Sequence, residues 1–254
     1  MKLFQIVIDL FFFDNFDLSM GEVVLRFFMT DIHGDYKGME LLMKHAQIDF
    51  SRDQLVFGGD MINRGRDSAK VVRTIKQLSD NYPEKVQVLI GNHEEMMRDY
   101  YQSGDKFWLS HGHETLKDFE KTFSKAEMNA YIEWISNLPL LYEDEDYVFT
   151  HAGLNPSVPL DQQGRDILWI SELEFYSIPK ETLLSLTQSK PVIHGHTPVE
   201  IIHFDGARLN GDLGSNTYSV IEERGLALVN LDRMVYYVYK QATGKIEERS
   251  VIRF

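Results

Sequence analysis

Five short segments of this 254-residue chain concentrate aspartate, asparagine and histidine, and each follows an apolar run. They are residues 30–34, 59–65, 91–94, 151–153 and 194–197. Carboxylates, imidazoles and a neutral amide oxygen, without sulfur, form a donor set that suits manganese, iron or zinc better than calcium or copper(I). Taken together, the five segments hold nearly enough ligands for two divalent metal ions.

The first segment places Asp31 and His33 two residues apart, so one sharp turn lets both side chains reach a single ion. Asp60 can bridge two ions because a carboxylate has two oxygens. The other candidate ligands, an amide oxygen and two imidazoles, belong to Asn92, His151 and His196. Each segment alone is a weak signal, since an aspartate after a strand often caps a helix. Five of them in one order, each after an apolar run, favour a metal site.

The elements that must position these residues alternate between strand and helix. Apolar runs predict buried strands at residues 23–29, 54–57 and 86–90. Predicted helices follow them at residues 39–46, 71–78 and 94–101. This alternation indicates an α/β fold with a parallel or mixed sheet, in which ligands collect at the carboxyl ends of the strands. Segments distant in sequence can therefore meet at one edge.

The rest of the chain mixes helices with shorter strands. Residues 107–142 are predicted to be mainly helical, and residues 161–189 to be loop and helix. Further strands are predicted at residues 147–150, 191–193, 219–221, 226–229 and 234–239, the last three as an antiparallel run. Because there is no linker, repeat or low-complexity tract, one domain is predicted over residues 20–254.

Residues 1–19 are predicted to be an irregular N-terminal extension. A signal peptide needs an uninterrupted apolar stretch and a cleavage site, but Asp9 interrupts the run and no such site follows. The run is also too short to span a membrane. These features predict a protein that stays in the cytoplasm and does not enter a membrane.

Composition excludes several classes of function. The chain has no cysteine, which rules out disulfides, thiolate catalysis and cysteine-based zinc sites. Its net charge of -13 would be repelled by the phosphate backbone, so no nucleic-acid partner is expected. The charge does not argue against a phosphate-bearing substrate, because bound metals can invert the sign locally.

The order and spacing of the five segments resemble the calcineurin-like metallophosphoesterases. The matching motifs are Asp-x-His-Gly, Gly-Asp-x-x-Asx-Arg-Gly, Gly-Asn-His-Glu, His-Ala-Gly and Gly-His-Thr, within residues 23–238. They are most similar to the phosphoprotein phosphatase branch, in its bacterial or phage type of serine/threonine phosphatase. The resemblance implies a four-layer α/β/β/α sandwich of two mixed β-sheets flanked by helices.

The resemblance also implies a ligand set for two divalent ions, with manganese expected first and iron or zinc as alternatives. Asp31, His33 and Asp60 would hold the first metal. The second would be held by Asp60, Asn92, His151 and His196. His194 occupies a position that need not be a ligand, and it is left out of the set.

The implied reaction is the direct attack of a hydroxide shared by two metals, in line with the leaving group. His93 would act as general acid for that leaving group, and Asn63 would orient its ring. Arg64 would hold phosphate oxygens with its planar donors, although an arginine at this place could also form an ordinary surface ion pair.

Two positions depart from the pattern of that branch. Asn63 stands where the family has an aspartate, so the partner of His93 brings no charge and favours the imidazolium less. Ser171 stands where the family has an arginine that grips the substrate phosphate. Arg165, six residues earlier, is the candidate to replace that arginine.

A third difference leaves two interpretations open. Related bacterial enzymes tend to carry Asn-Gly-Gly where this chain has His111, Gly112 and His113. The two histidines could touch the substrate, or they could be exposed polar residues on a loop.

Three functions remain in competition. The leading prediction is a metal-dependent phosphomonoesterase of the serine/threonine protein phosphatase type, acting on a phosphorylated protein or a small phosphoester. The alternative is a symmetrical dinucleoside tetraphosphate hydrolase, whose good leaving group suits Asn63, although Glu94 favours the phosphatase branch because tetraphosphatases more often carry aspartate there. The third is a catalytically weakened, metal-bound interaction or sensor protein.

Overall fold

The computed structural model describes residues 24–254, so the extension predicted at residues 1–19 lies outside the described residues. Twelve strands are found in the described part: β1 (Arg26–Met29), β2 (Gln54–Phe57), β3 (Val86–Val88), β4 (Leu141–Glu143), β5 (Val148–Thr150), β6 (Val192–His194), β7 (His203–Phe204), β8 (Arg208–Asn210), β9 (Gly225–Asn230), β10 (Val235–Lys240), β11 (Lys245–Ser250) and β12 (Ile252–Arg253).

The strands form two mixed sheets of six. The first sheet has the order β11-β10-β9-β1-β2-β3, and the second has the order β12-β7-β8-β6-β5-β4. In the first, β1 pairs in parallel with β2 and antiparallel with β9. In the second, β6 pairs in parallel with both β5 and β8. The parallel pairs bring the carboxyl ends of successive strands to the same edge.

Helices flank the sheets. The described α-helices are α1 (Tyr36–His45), α2 (Ser68–Asn81), α3 (Asn92–Ser103), α4 (Leu109–Thr122), α5 (Lys125–Ser136), α6 (Glu172–Ser177) and α7 (Lys180–Leu186). Short 3₁₀ turns lie at Lys106–Trp108, Leu160–Gln162 and Arg165–Trp169. Each of these helices falls short of the length and apolar character that a membrane crossing needs.

Alternating side chains on the central strands separate three apolar layers. In β1, Phe27 and Met29 pack toward the helices of the first sheet, whereas Phe28 packs between the two sheets. Phe149 and Ile193 meet Phe28 from the second sheet. A third cluster, which includes Phe175 of α6, covers the outer face of that sheet. The chain thus forms the predicted four-layer α/β/β/α sandwich, buried on both faces of each sheet.

The sequence prediction was wrong for residues 219–221, which form turns rather than a strand. Val220 and Ile221 are about half exposed, and the backbone N–H groups of Glu223 and Arg224 donate to the carbonyls of Val220 and Ile221. The apolar pair therefore lies on the surface without a strand partner.

Five short or exposed strands were not predicted. They are β4, β7, β8, β11 and β12. Most residues of β11 are exposed because it is an edge strand, and an exposed edge carries little apolar signal. β7 and β12 have two residues each, too few for any periodicity.

Candidate metal centre

The loops that follow β1 and β2 are tied side by side by backbone hydrogen bonds. The N–H of Asp31 donates to the Gly59 carbonyl at 3.1 Å, and the N–H of His33 donates to the Asp60 carbonyl at 2.9 Å. In the second sheet, the N–H of Gly195 donates to the His151 carbonyl at 2.8 Å. The parallel strands therefore bring their polar loops together, as the sequence predicted.

Two glycines allow the loops to approach the candidate ligands closely. A Cβ at Gly91 would overlap Oδ1 of Asp60, and a Cβ at Gly195 would overlap Oδ2 of Asp31. Only a residue without a side chain fits at these positions. The loops of β3 and β6 are thus packed directly against the two carboxylates.

The backbone of the site is strained. Asp31, His33 and Asp60 have positive φ angles of 52°, 46° and 53°, in the left-handed region that non-glycine residues rarely adopt. Three more residues of the predicted site share this conformation: Asn63, Arg64 and His196. Such residues cost free energy and persist where the surrounding structure holds them, most often at functional sites.

Asp60 lies at the middle of the converging side chains. Its Oδ2 is 3.6 Å from Nε2 of His33 and 3.9 Å from Nε2 of His93, and its Oδ1 is 3.6 Å from Nε2 of His151. Two groups of donor atoms result, one with His33 and His93 and the other with His151 and His196, and both contain Asp60. A shared carboxylate between two groups is the arrangement expected of a bridging ligand.

Asp31 and Asn92 complete the converging set. Oδ1 of Asp31 lies 3.9 Å from Nε2 of His33 and has no hydrogen-bond partner among the described residues. One polar atom of the Asn92 amide lies 3.1 Å from Nε2 of His151 and within 3.2 Å of both Asp60 oxygens. When the Asn92 amide oxygen points into the site, its polar neighbours are all hydrogen-bond acceptors. A cation placed between these acceptors would give each of them a partner.

The histidine rings are oriented by backbone carbonyls. Nδ1 of His33 is 2.9 Å from the Ile62 carbonyl, and Nδ1 of His151 is 2.9 Å from the Gly58 carbonyl. Since a carbonyl only accepts, Nδ1 carries the proton in each ring. The Nε2 lone pairs therefore point as acceptors toward Asp60, 3.6 Å away in both rings, which is how outer hydrogen bonds orient metal-binding imidazoles.

Several buried carboxylates concentrate negative charge at the site. Asp31, Asp60 and Asp212 are each no more than 2% exposed. Burial, and then the charge of Asp31, raises the pKa of both Asp60 and Asp212. Oδ2 of Asp212 also has no hydrogen-bond partner among residues 24–254. Buried charges of one sign are costly unless cations compensate them, so this donor set fits divalent metals.

Sequence reasoning missed Asp212. It lies just after β8, at the same edge as the loops of β5 and β6, but it stands outside the five motifs. Its position at a strand end is the only signal that could have identified it.

Arg64 reaches the candidate ligands from the exposed side. Its Nη1 donates to Nε2 of His33 at 2.7 Å and to the hydroxyl of Thr217. A cationic group thus already lies against one of the nitrogens expected to bind metal. Thr217 was not singled out from the sequence, and it fixes the guanidinium at this place.

His93 is paired with a neutral amide. Nδ2 of Asn63 lies 2.6 Å from Nδ1 of His93, and both residues are buried. Burial lowers the pKa of His93, and the charges of His33 and Arg64 add to that effect. Where the Asn63 amide donates to Nδ1, the ring proton lies on Nε2, which faces Asp60. Asn63 brings no negative charge that would stabilise an imidazolium.

Glu94 holds the Asp60 loop. Its fully buried carboxylate accepts hydrogen bonds from four backbone N–H groups: Asp60 at 2.7 Å, Met61 at 2.9 Å, Gly91 at 3.0 Å and Ile62 at 3.2 Å. Burial, and then the charge of Asp60, raises the pKa of Glu94 to about 7. The sequence identified Glu94 only as a marker of the phosphatase branch, whereas its contacts join the loops of β2 and β3.

Ser171 and Arg165, the two residues compared with the phosphate-binding arginine of the phosphatases, both have partners within the protein. Ser171 is the N-cap of α6 and forms a reciprocal capping box with Glu174, which explains a serine at this place. Arg165 forms an ion pair with Glu95, the residue two positions after His93. Arg165 therefore lies against α3, and its role toward substrate stays a prediction.

His111 and His113 were expected to be exposed if they lay on a loop. Both are exposed, but they lie on helix α4, so only the loop was wrong. The ring of His111 stands edge-on to the ring of His93, with centroids 6.2 Å apart. His111 is therefore at the mouth of the site.

Comparison with known proteins decides the family. The sequence profile described as calcineurin-like phosphoesterase matches residues 27–227. The chain belongs to this family. The membership confirms the family predicted from the five motifs, and this phosphoesterase is a hydrolase that acts on phosphoester bonds. It also implies a dinuclear divalent metal centre, which the groups around Asp60 fit.

Named relatives of this calcineurin-like phosphoesterase carry more than one activity. The symmetrical bis(5'-nucleosyl)-tetraphosphatase of Vibrio campbellii is 28% identical over 204 residues, which cover 73% of this chain and 71% of that protein. A protein serine/threonine phosphatase from Saccharomyces cerevisiae superposes with a TM-score of 0.64 at 17% identity, covering 91% of this chain and 81% of the other. A cold-active protein-tyrosine phosphatase from Shewanella gives 0.59 at 17% identity, covering 89% and 80%. The two structural likenesses confirm the fold.

Proposed function

We propose that this phosphoesterase hydrolyses the phosphoanhydride of a dinucleoside tetraphosphate symmetrically, at the site around Asp60. The observation that carries the proposal is the 2.6 Å contact between the Asn63 amide and Nδ1 of His93. This contact sets which leaving groups the site can serve.

An alkoxide leaving group needs a proton, and general acid catalysis supplies it from an imidazolium. A carboxylate partner stabilises imidazolium, but the amide of Asn63 brings no charge and donates to the nitrogen that would have to be protonated. A phosphoanhydride expels a phosphate group that is already stable as an anion. The neutral pair of Asn63 and His93 therefore suits an anhydride better than an alkyl ester.

The chain's own residues have defined tasks in this proposal. Asp31, His33, Asp60, Asn92, His151 and His196 would hold two divalent ions, with manganese first among the candidates. Those ions would supply an acidified water and neutralise phosphoryl charge. Arg64 would bind phosphate oxygens from the exposed side, and the Nε2 proton of His93 would donate a hydrogen bond to the departing oxygen.

The relatives support the same substrate class. The Vibrio campbellii relative is named a symmetrical tetraphosphatase, and this chain covers 71% of its length. Other relatives with that name include a Vibrio parahaemolyticus protein that is 26% identical over 204 residues. Glu94 is compatible with the proposal, because its carboxylate accepts backbone N–H groups of the Asp60 loop, a task that either reaction requires.

The second candidate function is that of a phosphomonoesterase, which was the leading prediction from the sequence. The serine/threonine phosphatase fold and the Glu94 motif favour it. Against it stand two features of this chain: Ser171 caps a helix where the phosphatases have a phosphate-binding arginine, and Asn63 is neutral.

A substrate panel with Mn2+ tests the proposal. It would compare diadenosine tetraphosphate, an aryl phosphate, and phosphoserine and phosphothreonine peptides by kcat/KM, with nucleotide products separated by chromatography. We expect diadenosine tetraphosphate to be preferred and to give ADP alone. A preference for a phosphopeptide, or products of AMP and ATP, would contradict the proposal. Failure on every substrate with two metals bound would favour the weakened sensor protein.

A further inference from the structure

A groove of about 520 Å³ opens beside Arg64, between the loop after β2 and helix α4. The charged side chains that line it are those of Arg64, Arg66, Glu114, Lys117, Asp118 and Lys121. Arg64 belongs both to this groove, here called the α4 groove, and to the candidate metal centre, where it contacts His33. The groove is therefore continuous with the site.

Two hydrogen bonds, one buried and one partly buried, fix α4 against its neighbours. The hydroxyl of Thr115 is buried in α4 and accepts from the N–H of Asn63 at 3.0 Å. One turn later, the carboxylate of Asp118 accepts from the N–H of Ala69 at 2.7 Å. The wall of the groove is thus anchored both to the loop that carries Asn63 and Arg64 and to the first turn of α2.

The groove has a surplus of positive charge on an acidic chain. Four of its lining residues are basic and two are acidic. Glu114 is engaged by Lys117 at 3.2 Å, and Asp118 by backbone. Among residues 24–254, Arg66 and Lys121 have no ion-pair partner, and both are exposed. With a net charge of -13 over the whole chain, unpaired cations beside the site mark a local attraction for anions.

We propose that the α4 groove binds the phosphate chain of the substrate beyond the phosphorus that is attacked. The inference rests on the proposed function, and it names the residues that would distinguish a polyphosphate from a monoester. Arginine and lysine are the side chains that most often bind phosphate groups. Arginine does so with the planar, fork-shaped donors of its guanidinium, and lysine with the single charge of its ammonium group. A chain leaving the metal centre past Arg64 would meet Arg66 and Lys117 and then Lys121.

The dimensions of α4 fit an extended anion. Lys121 lies ten residues after His111, whose ring faces His93, and a helix rises about 1.5 Å per residue, so the two are about 15 Å apart along the axis. A phosphate monoester with a small alcohol does not extend that far. In symmetrical cleavage two phosphates and a nucleoside lie beyond the attacked phosphorus, so the groove offers its charges to that extended anion and adds little for a single phosphate.

Charge-reversal variants test the proposal on the full chain with Mn2+. In Lys121→Glu and Arg66→Glu, we expect the ratio of kcat/KM for diadenosine tetraphosphate to that for aryl phosphate to fall at least tenfold, through KM. The matched control is Lys245→Glu, an exposed lysine of β11 outside the groove, which makes the same change in net charge. Its ratio should stay within twofold. An unchanged ratio in both groove variants, or an equal fall in the control, would overturn the proposal.

A binding measurement separates this inference from the proposed function. Calorimetry with inorganic tripolyphosphate and with orthophosphate needs no turnover. We expect Lys121→Glu to weaken tripolyphosphate binding at least tenfold and orthophosphate binding less than twofold. If tripolyphosphate binds the variant as tightly as the unsubstituted protein, the groove is not its site, even where tetraphosphate hydrolysis is observed. A loss for an acidic phosphopeptide without a loss for tripolyphosphate would equally refute it.

Discussion

The carboxylate of Glu94 accepts the backbone N–H of Asp60 at 2.7 Å and, through the same oxygen, the N–H of Gly91 at 3.0 Å. One buried side chain thus joins the loops after β2 and β3, and those loops carry two of the candidate ligands. The relative position of those two loops therefore depends on this contact.

Replacing Glu94 with glutamine should weaken both the fold and the site. In glutamine an NH2 group replaces one carboxylate oxygen of Glu94, so it would face backbone N–H groups that are themselves donors. A buried donor left without an acceptor costs about 1–3 kcal/mol. We expect Glu94→Gln to lower the free energy of unfolding by that amount and to weaken Mn2+ binding at least tenfold, measured by denaturant unfolding and calorimetry. Glu120→Gln, at an exposed position of α4, is the control. If the variant loses stability but binds Mn2+ as tightly as the unsubstituted protein, Glu94 has only a structural role.

His194 should make the stability of the protein depend on pH. Burial lowers the pKa of His194 to about 4, from an ordinary value near 6.5. A histidine with a lowered pKa in the folded state contributes stability above pH 6.5, which is lost as the pH falls toward 4. The shift corresponds to about 3 kcal/mol.

The test compares the unsubstituted protein with His194→Gln, both with Mn2+, by denaturant unfolding at several pH values. The gap between their free energies of unfolding should narrow by about 3 kcal/mol between pH 7 and pH 4. The comparison cancels the other titrating groups, which are common to both proteins. Parallel curves across this range would show that His194 is not buried in its neutral form.

Arg165 provides a separate test of the phosphate grip. If it replaces the arginine that the phosphatase branch has at Ser171, Arg165→Ala should raise KM for aryl phosphate about tenfold, the value of one charge-assisted hydrogen bond. Glu95→Gln should lower KM, because it frees the guanidinium from its ion pair. An unchanged KM in Arg165→Ala would leave Arg165 with only its contact to α3.

The sequence predicted the parts of the fold that bury apolar side chains on a regular period. The strands β1, β2 and β3 and the helices after them followed from runs such as Phe27 to Met29, which fill two layers. The four-layer order was implied by the family resemblance. The edge strands β11 and β12 escaped prediction because exposed residues carry no such pattern. Val220 and Ile221 misled it because an apolar pair in a turn looks the same as one in a strand.

The residues of the candidate site also differ in whether the sequence could predict them. Candidate ligands within compact motifs, such as Asp31 and His33, could be found from spacing and then placed together by the parallel strands. Asp212 and Thr217 could not, since each acts through a contact between distant loops that no local pattern records. The capping role of Ser171 also needed the structure, because the sequence alone registered only a missing arginine.

The pairing of Asn63 with His93 supports the central claim that this site serves leaving groups that need no proton. The variant Asn63→Asp tests it most directly, with phosphoserine peptide, aryl phosphate and diadenosine tetraphosphate as substrates and Asn129→Asp, exposed on α5, as the control. General acid catalysis contributes about 10²–10⁴ in rate, so restoring the acidic partner should raise kcat for the phosphoserine peptide at least tenfold. The other two substrates should change less than twofold. A kcat that stays the same for all three substrates would contradict the account.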